Sequence, residues 1–128
     1  MTTETFIPSF ALGFFGGASD RCRAMQGKPA TLDAIADACR AAIVEAVVCD
    51  AEGSPVGIVD RSGSFVRAEA AESFAFGARV LHRDGSRWVI TTVSGVTPAW
   101  TRDGYCRVDV LGFGQADARF SALRALPV

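Results

Sequence analysis

Apolar and polar positions alternate most regularly between Ala78 and Phe113, and this stretch predicts three antiparallel strands. Arg79–Arg83 runs to a turn signal at Asp84-Gly85, and Arg87–Ser94 runs back with β-branched residues dominating. After a loop containing Thr97, Pro98, Ala99, Trp100 and Thr101, the chain returns over Gly104–Phe113. A two-residue turn at Asp84-Gly85 would set Leu81 opposite Trp88 and His82 opposite Arg87. A three-residue loop over Arg83-Asp84-Gly85 sets Val80 opposite Trp88 and Ala78 opposite Ile90. That second register gathers Val80, His82, Trp88 and Ile90 on a core side and leaves Arg79 and Arg87 on the other. Side chains alternate with period two, so a slip of one residue mixes these sets, and the cleaner segregation favours the three-residue loop. On the third strand Cys106, Val108 and Val110 fall on one face, and Arg107 and Asp109 on the other.

Elsewhere the pattern is less regular. Phe6, Phe10 and Phe14 recur every fourth residue, which puts them on one face of a helix, with Pro8 suited to its first turn. Such a segment caps a core or acts as an aromatic arm that docks on a neighbour. Residues 30–50 divide two ways. By propensity Asp33–Val48 is an Ala-rich helix with Ile35, Cys39, Ala42 and Ala46 near one face. By the need of a β domain for further strands, Ala30–Ala34 and Ala41–Cys49 are strands, and Ala42–Cys49 is favoured as one. Asp50-Ala51-Glu52-Gly53 is a turn. Ser54–Arg67 is split by Asp60-Arg61-Ser62-Gly63, so it is either a hairpin with a polar tip or an excursion outside the sheet. Gln115–Leu126 reads as a short terminal helix with Phe120, Leu123 and Leu126 as its apolar contacts.

Composition narrows the class. A chain of 128 residues with 49% hydrophobic and 21% charged positions is expected to form one globular domain, residues 1–128. A formal net charge of −1 lacks the basic stripe of a dedicated nucleic-acid binder. The four cysteines, Cys22, Cys39, Cys49 and Cys106, contain no Cys-x-x-Cys pair, and His82 is the single histidine, so no metal site and no cofactor are expected. The N-terminus lacks the basic region that precedes the apolar stretch of a secretory signal, so the cysteines are expected to be reduced and buried. Its apolar run is too short and too interrupted by glycine to span a bilayer. Asp50, Asp60 and Asp84 stand in turn contexts, where aspartate bonds its own backbone. No Gly-x-Ser-x-Gly elbow, phosphate loop or carboxylate pair is present, and catalysis is not expected.

The run Gly77-Ala78-Arg79-Val80, Asp84-Gly85-x-x-Trp88-Val89-Ile90 to Val93, then Gly104-Tyr105-Cys106-Arg107-Val108-Asp109-Val110-Leu111, resembles the C-terminal half of small head–tail joining proteins. These are the head-completion or stopper proteins of lambda-like long-tailed bacteriophages. The resemblance covers residues 77–113. It implies a mainly β fold with minor α: a small antiparallel β-barrel or sandwich, with an N-terminal arm or helical segment (1–29) and a barrel over 30–114 that carries a long inter-strand loop at 54–76; the C-terminal extension (115–128) departs from the family pattern. It also implies a structural virion protein and no enzyme. The partners would be its own copies in a ring, usually six-fold, the portal or adaptor ring, the tail terminator, and packaged DNA bound without sequence specificity. Assembly would take place in the bacterial cytoplasm, with no membrane partner. Interface positions are then expected at Phe6, Phe10 and Phe14 of the arm, at Val59, Phe65, Phe74 and Phe76 of the loop, and at Trp100. The alternatives are a tail terminator or other ring of the same particle and, more distantly, a monomeric bacterial β-barrel binding module.

Overall fold

The computed structural model describes residues 4–11, 20–71, 73–85, 87–96, 104–110 and 114–127. The fold is mainly β, with two antiparallel sheets and few helical turns. The chain divides into two compact units, Met1–Arg67 and Ala68–Val128, each with its own core.

The first unit is a four-stranded sheet in the order β1 (Ile7–Phe10), β2 (Ala46–Cys49), β3 (Pro55–Val59), β4 (Phe65–Arg67), with helices α1 (Asp20–Met25) and α2 (Leu32–Ala42). The helix expected at Phe6–Phe10 is a strand. A spacing of four satisfies period two as well as period 3.6, and here Phe6 and Phe10 are buried on one side of β1. The outer edge of β1 is closed by its neighbours. Phe6 exchanges backbone hydrogen bonds with Ala30, the Pro8 carbonyl accepts from the Gly27 amide (3.0 Å), and the Phe10 amide donates to Gln26 Oε1 (2.8 Å).

Residues 30–50 hold both elements that competed for them, and the early strand expected at Ala30–Ala34 is reduced to one bridge, Ala30 to Phe6, before helix begins at Leu32. Thr31 caps α2, its Oγ1 accepting from the Ala34 amide at 3.2 Å, with Asp33 in the first turn and Arg40 in the last. Ile35, Ala36, Ala38 and Cys39 form its buried stripe, so local propensity and packing agree up to Ala42. The strand then begins at Ala46. Ile35 and Cys39 meet Phe6, Phe10, Cys22, Ala46, Val48 and Val59 in one core.

The segment expected as a long loop is largely a hairpin. β3 pairs with β4 through Gly57↔Arg67, Ile58↔Val66 and Val59↔Phe65. The turns on either side of β3 repeat one design, Asp50-x-x-Gly53-Ser54 and Asp60-x-x-Gly63-Ser64. In each, the glycine amide donates to the aspartate carbonyl, the aspartate amide donates to the serine carbonyl, and the glycine has φ 85. That is a three-residue loop closed by a glycine bulge. The carboxylate fixes it: Asp60 Oδ1 accepts from the amides of Ser62 and Ser64, both at 2.9 Å, and from Ser62 Oγ at 2.6 Å. Of the expected 54–76 loop, β3 and β4 take up Pro55–Val59 and Phe65–Arg67, with the Asp60 turn between them.

The second unit is a five-stranded sheet in the order β8 (Gly114–Arg119), β7 (Tyr105–Val110), β6 (Arg87–Val96), β5 (Arg79–Asp84), β9 (Leu123–Ala125). The expected meander is present as β5, β6 and β7. Its hairpin register differs from both expected ones: Arg83 pairs with Trp88 and Asp84 with Arg87, leaving residues 85 and 86 between them. Gly85 has φ 66, which suits a tight two-residue connection. Val80 therefore lies across from Thr91, while Trp88 and Ile90 share the opposite face with Leu81 and Arg83. Arg124 of β9 joins that second face and stacks on Trp88, with its guanidinium 5.0 Å from the ring centroid. Trp88 is thus buried by a stacked arginine, away from the Val80 side.

The terminal helix expected over Gln115–Leu126 is β8, a 3-10 turn (Phe120–Ala122) and β9. Alternation decides it: Ala118 and Leu123 are buried while Asp117 and Arg119 face out. β8 and β9 are the two outer strands, separated in a flat sheet by four spacings, about 19 Å. The 3-10 turn that joins them advances only about 2 Å per residue. The sheet must therefore curl strongly, and the register shift between Val93 and Gly95 in β6 gives it a place to bend. β8 and β9 are not paired with each other, so the sheet is curled but open, where a closed barrel was one expectation. Its core holds Phe74, Val80, Val93, Cys106, Val108, Ala118 and Leu123.

Candidate interaction surfaces

The expected interface residues separate by burial. Phe6, Phe10 and Val59 belong to the core of the first unit, and Phe74 to the core of the second, where it meets Phe120 edge-on at 5.1 Å. All four are buried within their own unit. Phe14 and Trp100 lie outside the described residues. Phe65 and Phe76 remain, with relative exposures of 37% and 75%.

These two phenylalanines are held for different reasons. Phe65 lies against Gly57 on the neighbouring strand: a Cβ added at Gly57 would run into the Val66 carbonyl oxygen and meet the Phe65 ring at 2.9 Å. The ring covers a glycine gap, which gives its partial exposure a structural role. Phe76 has no such task. It occupies the first central position of a turn in which the Ala78 amide donates to the Ala75 carbonyl (3.1 Å), with Gly77 next at φ 81. This is a type II turn, whose second central position requires a positive φ. The Gly77 amide donates to the Val93 carbonyl (2.8 Å), so the turn is tied to β6 and presents the ring from a fixed backbone.

Ile43 is the third exposed large apolar side chain, at 68%. It ends α2 with φ 55, and the Val44 amide reaches back to the Cys39 carbonyl at 3.1 Å. The sequence offers no signal for this, because Ile43 stands in an apolar run that reads as core.

Burial and local hydrogen bonds shift six ionisable groups among the described residues. Burial pushes all four thiols up, and Cys39, beside Cys22, reaches about 12. His82 lies across from Val89 and Leu123; burial lowers its imidazole, and Asp84 opposes this more weakly. The hydrogen bond from Ser62 and those from the turn amides hold Asp60 below the usual carboxylate range. Among the described residues, no group of three or more His, Cys, Asp and Glu could hold a metal ion, and no helix is long and apolar enough to cross a membrane. No family model, curated protein or solved structure matches the chain.

Proposed function

We propose that this chain is a structural subunit of a long-tailed bacteriophage particle, a ring protein of the neck that joins the DNA-filled head to the tail and helps close the portal channel. The reading rests on the resemblance of residues 77–113 to head–tail joining proteins. The observation that supports it best is Phe76: a large apolar side chain, 75% exposed, held on a turn tied to β6. A rigid exposed aromatic is suited to anchor a protein contact. In the ring, Phe76 and the adjoining 68–78 segment would contact the neighbouring copy, the contact repeating by cyclic symmetry. DNA in the channel would be enclosed without sequence-specific contact, in keeping with a net charge of −1.

Deleting the gene from the phage that carries it tests this. The expected result in electron micrographs is filled or leaking heads and separate tails, with whole particles restored by the wild-type gene and reduced with Phe76→Asp. Normal joined particles in the deletion strain would overturn the proposal.

A further inference from the structure

We infer that β8 is a strand-addition edge, and that its occupant is β8 of a second copy, paired antiparallel about Ala118. This stands apart from the neck reading, because it concerns a contact between two free chains.

The outer strands of the two sheets differ in how their edges are protected. β1 carries Pro8 and is closed by Ala30, Gly27 and Gln26. β9 has three residues, and Ala125 exchanges both backbone bonds with Glu69 (2.6 and 2.9 Å). β4 has only three residues. β8 has six, contains no proline and runs in unbroken register with β7 from Tyr105↔Arg119 to Val110↔Gly114. Natural sheets blunt long edges with proline, bulges, short strands, covers or edge charges; among the described residues β8 has only the last, and its two charges, Asp117 and Arg119, are of opposite sign.

Hydrogen-bond parity identifies the free groups. The Phe120 amide donates to the Gly104 carbonyl (2.8 Å), so the pairs that exchange bonds with β7 continue at Ala118, Ala116 and Gly114. The amides and carbonyls of Gln115, Asp117 and Arg119 therefore point away from the sheet. In a β8–β8 pair these are the residues that must bond each other. Centring on Asp117 sets like charges opposite. Centring on Ala118 sets Asp117 opposite Arg119 of the second copy, twice, with the small Ala118 side chains meeting at the axis. Both charges are exposed on the face away from the core. There Arg107 reaches Asp117 at 3.3 Å and Arg119 donates to the Tyr105 hydroxyl at 2.6 Å. Pairing would extend these into a ladder of Arg107, Asp117 and the second copy's Arg119, a self-complementary arrangement of the kind a two-fold contact requires.

Sedimentation of the purified chain across roughly 1 to 300 µM tests this. A concentration-dependent dimer is expected. Arg119→Asp should weaken it about tenfold or more, because both cross-strand pairs become repulsive. Adding Asp117→Arg to the same chain should recover it, since the pairs are then reversed but opposite. Asp117→Pro removes an outward donor without touching the bonds to β7, and should also give monomer with an unchanged circular dichroism spectrum. A monomer at every concentration, or any oligomer unmoved by Arg119→Asp and Asp117→Pro, would overturn the inference.

Discussion

Ile43 ends α2 with a left-handed backbone (φ 55), a conformation that β-branched residues avoid. Its side chain is mostly exposed, so replacing it removes strain and little packing. Ile43→Gly is expected to raise stability by about 1 kcal/mol in chemical denaturation, the relief outweighing the extra freedom of the unfolded chain. Gly57 is the opposite case. Gly57→Ala would drive a methyl into the Val66 carbonyl and the Phe65 ring, and about 2 to 3 kcal/mol of destabilisation is expected in the same measurement. Asp60 carries a pH dependence. Its folded carboxyl is lowered from 3.8 by the bonds of its turn, so the charged form stabilises the fold above that value and the contribution fades as pH falls through the folded pKa. The melting-temperature gap between wild type and Asp60→Ala should be widest near neutrality and narrow on acidification below about pH 4.

Which elements were legible in the sequence follows from how many physical signals agreed. The β5–β6–β7 meander was readable because alternation, β-branched residues and turn residues all pointed one way. Its register was not, since Arg124, remote in sequence, is what covers Trp88 and makes a second face habitable for it. Phe6 and Phe10 misled because a spacing of four fits helix and strand alike, and the partners that decide it, Ala46–Cys49, lie far along the chain. β8 and β9 mimic a helix in the sequence because Phe120, Leu123 and Leu126 stand three residues apart, a spacing that also fits one helical face. The candidate surface was legible only in part. Apolar character alone marks Phe76 in the sequence, and it marks Phe74 equally, although Phe74, two residues earlier, belongs to the core. The pair gives a direct comparison: Phe74→Ala should cost about 3 kcal/mol or more in unfolding free energy, and Phe76→Ala less than about 0.5 kcal/mol. The buried thiols add a further expectation. Cys22, Cys39 and Cys106 should resist a thiol reagent at neutral pH until denaturant opens the fold, with half-buried Cys49 reacting first.

In the molecule as a whole, two curled or layered β units each bury their own core. Among the described residues, the features proposed for partner contacts are an aromatic on a tied turn and the long edge of β8. The edge belongs to the separate proposal of a pair of free chains, and the exposed aromatic to the central claim, the proposed role in a phage neck. Quantitative mass spectrometry of purified particles, from the phage that carries this gene, tests that claim most directly. The expected result is this chain present in a fixed ratio to the portal protein, unchanged through repeated gradient purification. Its absence from such particles, with the chain recovered only as free protein in the lysate, would contradict the account.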